Sequence, residues 1–310
     1  MSVPLLSVAV IAGALRGRAQ RVLDALSEQD AAADLEVLVV DLEPDAEPLR
    51  VPAPLTAVHV PLPGAMLSRA KGEAVRRASA PAIAFLEDHC YPRPGWASAL
   101  IEAHRGPWAA VGYAFENANP ETWLSRASLV ADYGVFIDPE RGTADFLSGN
   151  NVSYKRDALL ALGDSLDALL IVDYNAHVAL RERGEQLFIE PRALAAHENY
   201  TRLADLASAN RSYCRAMAAN RAAGWGRPRR LFYAAVSPVA APAIKLVRLV
   251  RTLAGRPRVA LRALAAAPVI AVAYAAGAAG EARGYLDGSA EAAEAEFLVW
   301  ELATERARGA

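Results

Sequence analysis

Over its first two hundred residues the chain alternates short apolar runs with amphipathic stretches. Residues 5–11 (LLSVAVI), 35–40 (LEVLVV), 56–60 and 82–86 (AIAFL) have the length and near-continuous apolarity of strands covered on both faces. Between them, 18–29 places Val22, Leu23 and Leu26 on one helical face, and 65–79 is an Ala-rich helical stretch carrying Arg69, Lys71, Arg76 and Arg77. Strand–helix–strand alternation at this spacing predicts right-handed crossovers and a mostly parallel α/β sheet with helices on both faces. Further along, helices are expected over 96–103, 121–136 (covering the sheet), 156–162 and 172–183, and strands over 108–113 and 186–190. A Gly-Asn-Asn turn interrupts 144–154, Gly184 caps a helix, Pro191 ends the last strand, and 193–198 leads out through His197.

Beyond residue 203 the pattern changes. A basic helix is expected over 204–223, followed by the basic knot Arg227-Pro228-Arg229-Arg230. Residues 231–253 are apolar but interrupted by Pro238 and Pro242, and 264–280 carry no charge. Residues 289–308 read as an acidic amphipathic helix. The chain therefore divides into a first domain over 1–203 and a helical region over 204–310.

Charge sharpens that division. The net charge of −2 is the sum of unlike parts, because 206–280 contains no Asp or Glu and twelve basic residues. Leu264 to Gly280 falls short of the ~20 apolar residues of a spanning helix. Basic residues among aliphatic ones instead suit helices lying on, or dipping into, an anionic cytoplasmic membrane face; a re-entrant or spanning pair and an Ala-rich packed subdomain are the alternatives. Cations interleaved with aliphatic rather than aromatic residues argue against nucleic acid as partner. With 54% hydrophobic and 22% charged residues a large core is available. Two distant cysteines exclude a disulfide framework and fit a reducing compartment. The opening apolar run lacks a basic region before it and reads as the first strand, not a signal segment.

The candidate chemistry lies where the strand 82–86 runs into Glu87-Asp88-His89. Carboxylates and an imidazole at the carboxyl end of a buried strand suit a divalent cation and a phosphate-bearing ligand. The alternative is a solvated turn or a helix cap.

Four motifs in order resemble the family 2 glycosyltransferases, which have the GT-A fold. They are the opening strand with a second strand ending at Asp41; Ser68-Arg69-Ala70-Lys71 on the helix before Phe85-Leu86-Glu87-Asp88-His89; Phe146-Leu147-Ser148-Gly149-Asn150-Asn151; and Val172-Asp173-Tyr174 with Arg181, Gly184, Pro191 and His197 downstream. The resemblance covers about residues 3–200. It implies an inverting transfer of a sugar from a nucleoside diphosphate sugar; the basic, apolar tail would bring such an enzyme to the cytoplasmic membrane face, and the acceptor would then be a lipid-linked or cell-envelope glycan. Asp173 would be the base; Asp41, Arg69, Glu87 and Asp88 would hold the donor; Gly149, Asn150 and Asn151 would lie near donor sugar and acceptor. Asp88, His89 and His197 would ligate Mn2+ or Mg2+. The chain departs from the family at Glu87 and His89, where Asp is usual, and at Val172, which leaves one carboxylate of an acidic pair; His89 favours Mn2+ over Mg2+. The other readings are a nucleotidyltransferase on a similar fold and a degenerate transferase domain serving as a membrane-bound partner. The sequence leaves the oligomeric state open.

Overall fold

The computed structural model describes residues 3–303. Two compact units emerge: one combines the chain up to Glu116 with Asp138–His197, the other combines Asn117–Ile137 with the chain from Glu198 onward.

The first unit is built on nine strands: β1 (Leu6–Ala12), β2 (Leu35–Asp41), β3 (Thr56–Pro61), β4 (Ala82–Leu86), β5 (Cys90–Pro92), β6 (Ala110–Asn117), β7 (Gly142–Ala144), β8 (Val152–Lys155) and β9 (Leu187–His197). Their order is β3-β2-β1-β4-β8-β6-β9-β5, with β7 added on β9. β3, β2, β1 and β4 pair in parallel, as the strand–helix alternation predicts. Beyond β4, the pairings of β8 with β4 and β6, and of β5 and β7 with β9, are antiparallel. All of β1 and β4 is buried, which is why their apolar runs are continuous rather than alternating. α1 (Arg16–Ser27) follows β1, and α2 (Leu67–Arg77) returns the chain past β1 to β4. The strand order therefore reverses between β1 and β4, and the carboxyl ends of these two strands flank the crevice where open α/β sheets bind ligands. α3 (Trp96–Ala103) buries Trp96, whose ring meets Tyr113 edge-on at 5.6 Å.

Cys90–Pro92 forms β5, an edge strand, where a proline is tolerated. Two details differ from the sequence expectations. Residues 187–197 form one strand through Pro191, which falls between the segment paired with β7 and the segment paired with β5. The helix expected over 121–136 forms as α4 (Trp123–Tyr133), but it belongs to the second unit, where it packs against the C-terminal helices. The first unit continues with short α5 (Arg156–Leu160) and α6 (Leu166–Leu169), then α7 (Asp173–Glu182).

In the second unit, α4 is joined by α8 (Leu203–Arg221), α9 (Arg227–Leu253), α10 (Pro257–Ala265), α11 (Ala267–Asp287) and α12 (Ala290–Leu298). α11 packs on α8 at glycine contacts: a Cβ at Gly280 would lie 2.0 Å from the Arg211 carbonyl oxygen. α9 runs unbroken through Pro238 and Pro242. Pro238 cannot donate to the Ala234 carbonyl, and the Ser237 hydroxyl does so instead at 3.3 Å. The uncharged stretch from 264 is not one straight helix, since α10 and α11 meet at 74°. Of the acidic helix expected over 289–308, α12 and the π-turn Val299–Ala303 form, and 304–308 lie outside the described residues.

Candidate active site

Four acidic residues stand at strand or helix ends of the first unit, and each is met by donors from another element. Asp41, the last residue of β2, accepts a two-pronged pair from Arg16 at 2.7 and 2.8 Å, with His59 at 3.1 Å and the Glu43 backbone N–H at 3.1 Å. Burial raises the Asp41 pKa, but the bonds from Arg16, His59 and Glu43 outweigh it and hold the carboxyl below its ordinary value. Asp88, fully buried, accepts from Arg18 of α1, so an arginine from the β1 end reaches across to the β4 end of the crevice.

His89 is fully buried beside Asp88, its Nδ1 2.9 Å from an Asp88 oxygen and 2.6 Å from the Arg18 guanidinium. Its Nε2 lies 3.4 Å from Glu87 Oε2, and His197 Nε2, from the end of β9, lies 3.1 Å from the same oxygen. The two imidazoles meet edge-on at 4.9 Å. Glu87, His89 and His197 can each offer one ligand atom within 4.8 Å of the others. Two imidazoles and one carboxylate are a donor set for a first-row divalent ion; in the tautomer that donates Nδ1–H to Asp88, His89 presents Nε2 to a metal. Asp88 thus stands beside this trio, while Glu87, expected on the donor, stands within it.

The Gly149-Asn150-Asn151 turn closes the other side. Asn151 accepts from the Glu87 backbone N–H at 3.1 Å and donates to Glu87 Oε2, and Asn150 donates to Glu87 Oε1 at 3.0 Å. Asn150 has φ of +65°, a conformation that asparagine tolerates better than most residues. Its backbone N–H donates to Asp173 at 2.6 Å.

Asp173 opens α7 and is wholly buried. Besides Asn150 it accepts from Lys71 at 2.7 Å and Tyr154 at 3.2 Å. Lys71 is also buried and donates to Asn150 Oδ1 at 2.7 Å. Deleting one member of such a buried ion pair costs about 3–5 kcal/mol, because the other charge is left uncompensated. Tyr154 in turn meets His177 Nε2 at 2.8 Å.

The sequence-derived residues Glu87, Asp88, His89, Gly149, Asn150, Asn151, Asp173 and His197 therefore fall in one neighbourhood, tied by the contacts above. Asp41 lies at the neighbouring end of β2, engaged by Arg16. Arg69 is exposed on α2 and lies outside this network of contacts. The basic residues in the network are Lys71 and Arg18, which sequence reasoning did not single out as site residues. A signal existed: α2 buries Leu67, Ala70, Ala74 and Val75, and Lys71 sits in that same stripe; Arg18 does the same with Ala19, Val22, Leu23 and Leu26 of α1. A cation inside an apolar stripe implies a buried anionic partner.

No protein-family model and no curated protein matches the chain. Among solved structures, the mannosyltransferase PcManGT from Pyrobaculum calidifontis, in complex with GDP-Man and Mn2+, is similar over 93% of this chain and 88% of its own, with TM-score 0.53 and 18% identity. GalNAc-T7, solved with UDP, GalNAc and Mn2+, is 11% identical over 63% of this chain and 43% of its own, TM-score 0.46. A mycobacterial protein is 17% identical over 71% and 74%, TM-score 0.44. The first likeness establishes the fold: this is a GT-A-type α/β chain, as the sequence motifs imply.

Burial makes the fold acid-sensitive. It lowers the His177 pKa from 6.5 to about 4, with Asp173 opposing and Lys71 reinforcing, and it lowers that of His104, bonded to Ser153 at 2.9 Å, to about 3. The unfolded chain protonates these imidazoles near pH 6.5, so their stabilisation is complete above 6.5 and is lost as pH falls toward 4. Unfolding free energy measured by denaturant titration should fall between pH 6.5 and 4.5, by up to about 1.4 kcal/mol per pH unit for each histidine. His177→Gln should roughly halve that slope; an unchanged slope would show that His177 does not titrate as described.

Proposed function

We propose that the chain is a metal-assisted, inverting glycosyltransferase that takes a nucleoside diphosphate sugar and glycosylates a hydroxyl of a lipid-linked or cell-envelope glycan. The observation that carries this reading is the trio of Glu87 and His89, just past the carboxyl end of β4, with His197 at the end of β9, in a GT-A-type sheet. PcManGT, the neighbour of similar fold, was solved with GDP-Man and Mn2+.

The residues divide the work. Glu87, His89 and His197 would hold a divalent ion, for which Mn2+ suits the imidazoles better than Mg2+. When bound, that ion supplies charge neutralisation for the departing diphosphate. Arg18 holds Asp88, and Asp88 holds His89 at Nδ1, so the ring is aimed before any ligand arrives. Asp41 with Arg16 stands where the base or ribose of the donor would lie, at the end of β2. Asn150 and Asn151 border the sugar and acceptor. Asp173 takes the proton from the acceptor hydroxyl as that oxygen attacks the anomeric carbon, and attack opposite the leaving diphosphate inverts the centre. Tyr154, Lys71 and the Asn150 N–H fix the Asp173 carboxylate and shield it from bulk water.

The second unit suits attachment to an anionic membrane surface. α9 is the one described helix long and apolar enough to cross a membrane, and the bent pair α10–α11 would make a second span if taken together. α9 and α10 leave apolar side chains exposed, with Phe232 at 62%, Val239 at 75%, Leu261 at 68% and Leu264 at 74%. The same two helices carry Arg248, Arg251, Arg258 and Arg262, each worth ~1 kcal/mol at an anionic surface. The Arg229 guanidinium stacks 3.8 Å over Trp225, and Trp225 and Tyr233 cluster near the start of α9, residue types that favour a membrane interface.

Two measurements test these readings. A screen of UDP-, GDP- and dTDP-sugars should find one donor turned over only with a divalent ion, with Glu87→Ala and His89→Ala reduced about 100-fold or more. Metal-independent turnover, or no donor accepted, would reject the assignment. In flotation, the full chain should rise with vesicles rich in phosphatidylglycerol at low salt and not with pure phosphatidylcholine. Phe232→Asp/Val239→Asp should stay at the bottom. Wild type remaining soluble with both lipids would rule out the membrane reading.

A further inference from the structure

The turn at Asn150 touches both ends of the site. Its backbone N–H and the Lys71 ammonium reach the same Asp173 oxygen, at 2.6 and 2.7 Å. Its side-chain oxygen accepts from Lys71 at 2.7 Å, while its side-chain nitrogen donates to Glu87 Oε1 at 3.0 Å. The partners fix which way the amide points, since an ammonium only donates and a carboxylate only accepts. Lys71 and Asp173 are wholly enclosed, with side-chain exposures of 2% and 0%, and Lys71 lies 5.6 Å from the centre of the Phe85 ring.

We propose that Lys71 and Asn150 form a latch that sets the metal-binding geometry of Glu87, so that the base end and the metal end of the site are assembled as one unit. The inference rests on the glycosyltransferase reading for its metal, and Lys71 is a positioning residue in it, acting on Glu87 through Asn150. Lys71 holds the asparagine oxygen, which aims the asparagine nitrogen at Glu87 Oε1. Asn151 takes Glu87 Oε2, and the two amides together fix the plane of the carboxylate that His89 and His197 face. Outer partners of this kind typically change metal affinity 10–100-fold.

This gives Lys71 an effect opposite in sign to that of its charge. If the ammonium acted by charge alone, removing it would strengthen the binding of a cation nearby. If it acts as a latch, removing it frees Asn150 and weakens binding. The test is the affinity of the full chain for Mn2+ alone, read by electron paramagnetic resonance without donor or acceptor. Lys71→Met should weaken Mn2+ binding about tenfold, and Lys71→Arg should recover most of it. Asn150→Gly keeps the positive φ at no backbone cost and leaves the N–H on Asp173, so it isolates the side-chain link. It should weaken Mn2+ binding by a similar factor. The double variant should lose no more than either alone, because both break one link. Should Lys71→Met fail to fold by circular dichroism, Asn150→Gly decides the matter. Mn2+ binding equal to or tighter than wild type in either folded variant would overturn the latch while leaving the metal site intact. Absence of Mn2+ binding by wild type would overturn the metal reading and the latch with it.

Discussion

Burying a carboxylate at the end of a strand requires a partner that replaces water, and the site of this protein is organised by that requirement. Asp41 is met by Arg16, Asp88 by Arg18 and Asp173 by Lys71, each a cation delivered from a helix next to the sheet. Glu87 meets two imidazoles and two amides, donors that orient a carboxylate and leave it suited to a divalent ion. The crevice between β1 and β4 brings these groups together, because α1 leaves from the end of one strand and Glu87-Asp88-His89 follows the other.

Much of this was legible in the sequence, for a physical reason. Strands buried on both faces carry continuous apolar runs, so β1, β2 and β4 announce themselves, and so does the polar triplet at which β4 stops. The Gly-Asn-Asn turn and Asp173 at a helix start were visible as local chemistry. Which basic residue turns inward is legible only through the helical stripe: Arg69 and Lys71 are two positions apart on α2, and only position 71 falls with Leu67, Ala70, Ala74 and Val75. Likewise the division of labour within Glu87-Asp88-His89 depends on Arg18, seventy residues earlier, reaching Asp88 and so leaving Glu87 to face the imidazoles.

The second unit was less legible. α4 has the composition of a helix that could cover a sheet, yet it packs with helices more than a hundred residues later, a choice set by long-range shape and not by its own pattern. Pro238 and Pro242 look like breaks, but the hydroxyl of Ser237 takes the bond that Pro238 cannot make, and α9 continues.

The central claim is that Glu87, His89 and His197 hold a divalent ion while Asp88 only orients His89. Anomalous diffraction from crystals of the full chain soaked in Mn2+ tests it most directly. A peak is expected within coordination distance of all three residues, with Arg18 still on Asp88. A peak bound through Asp88 with Arg18 displaced, or none at this corner, would contradict it.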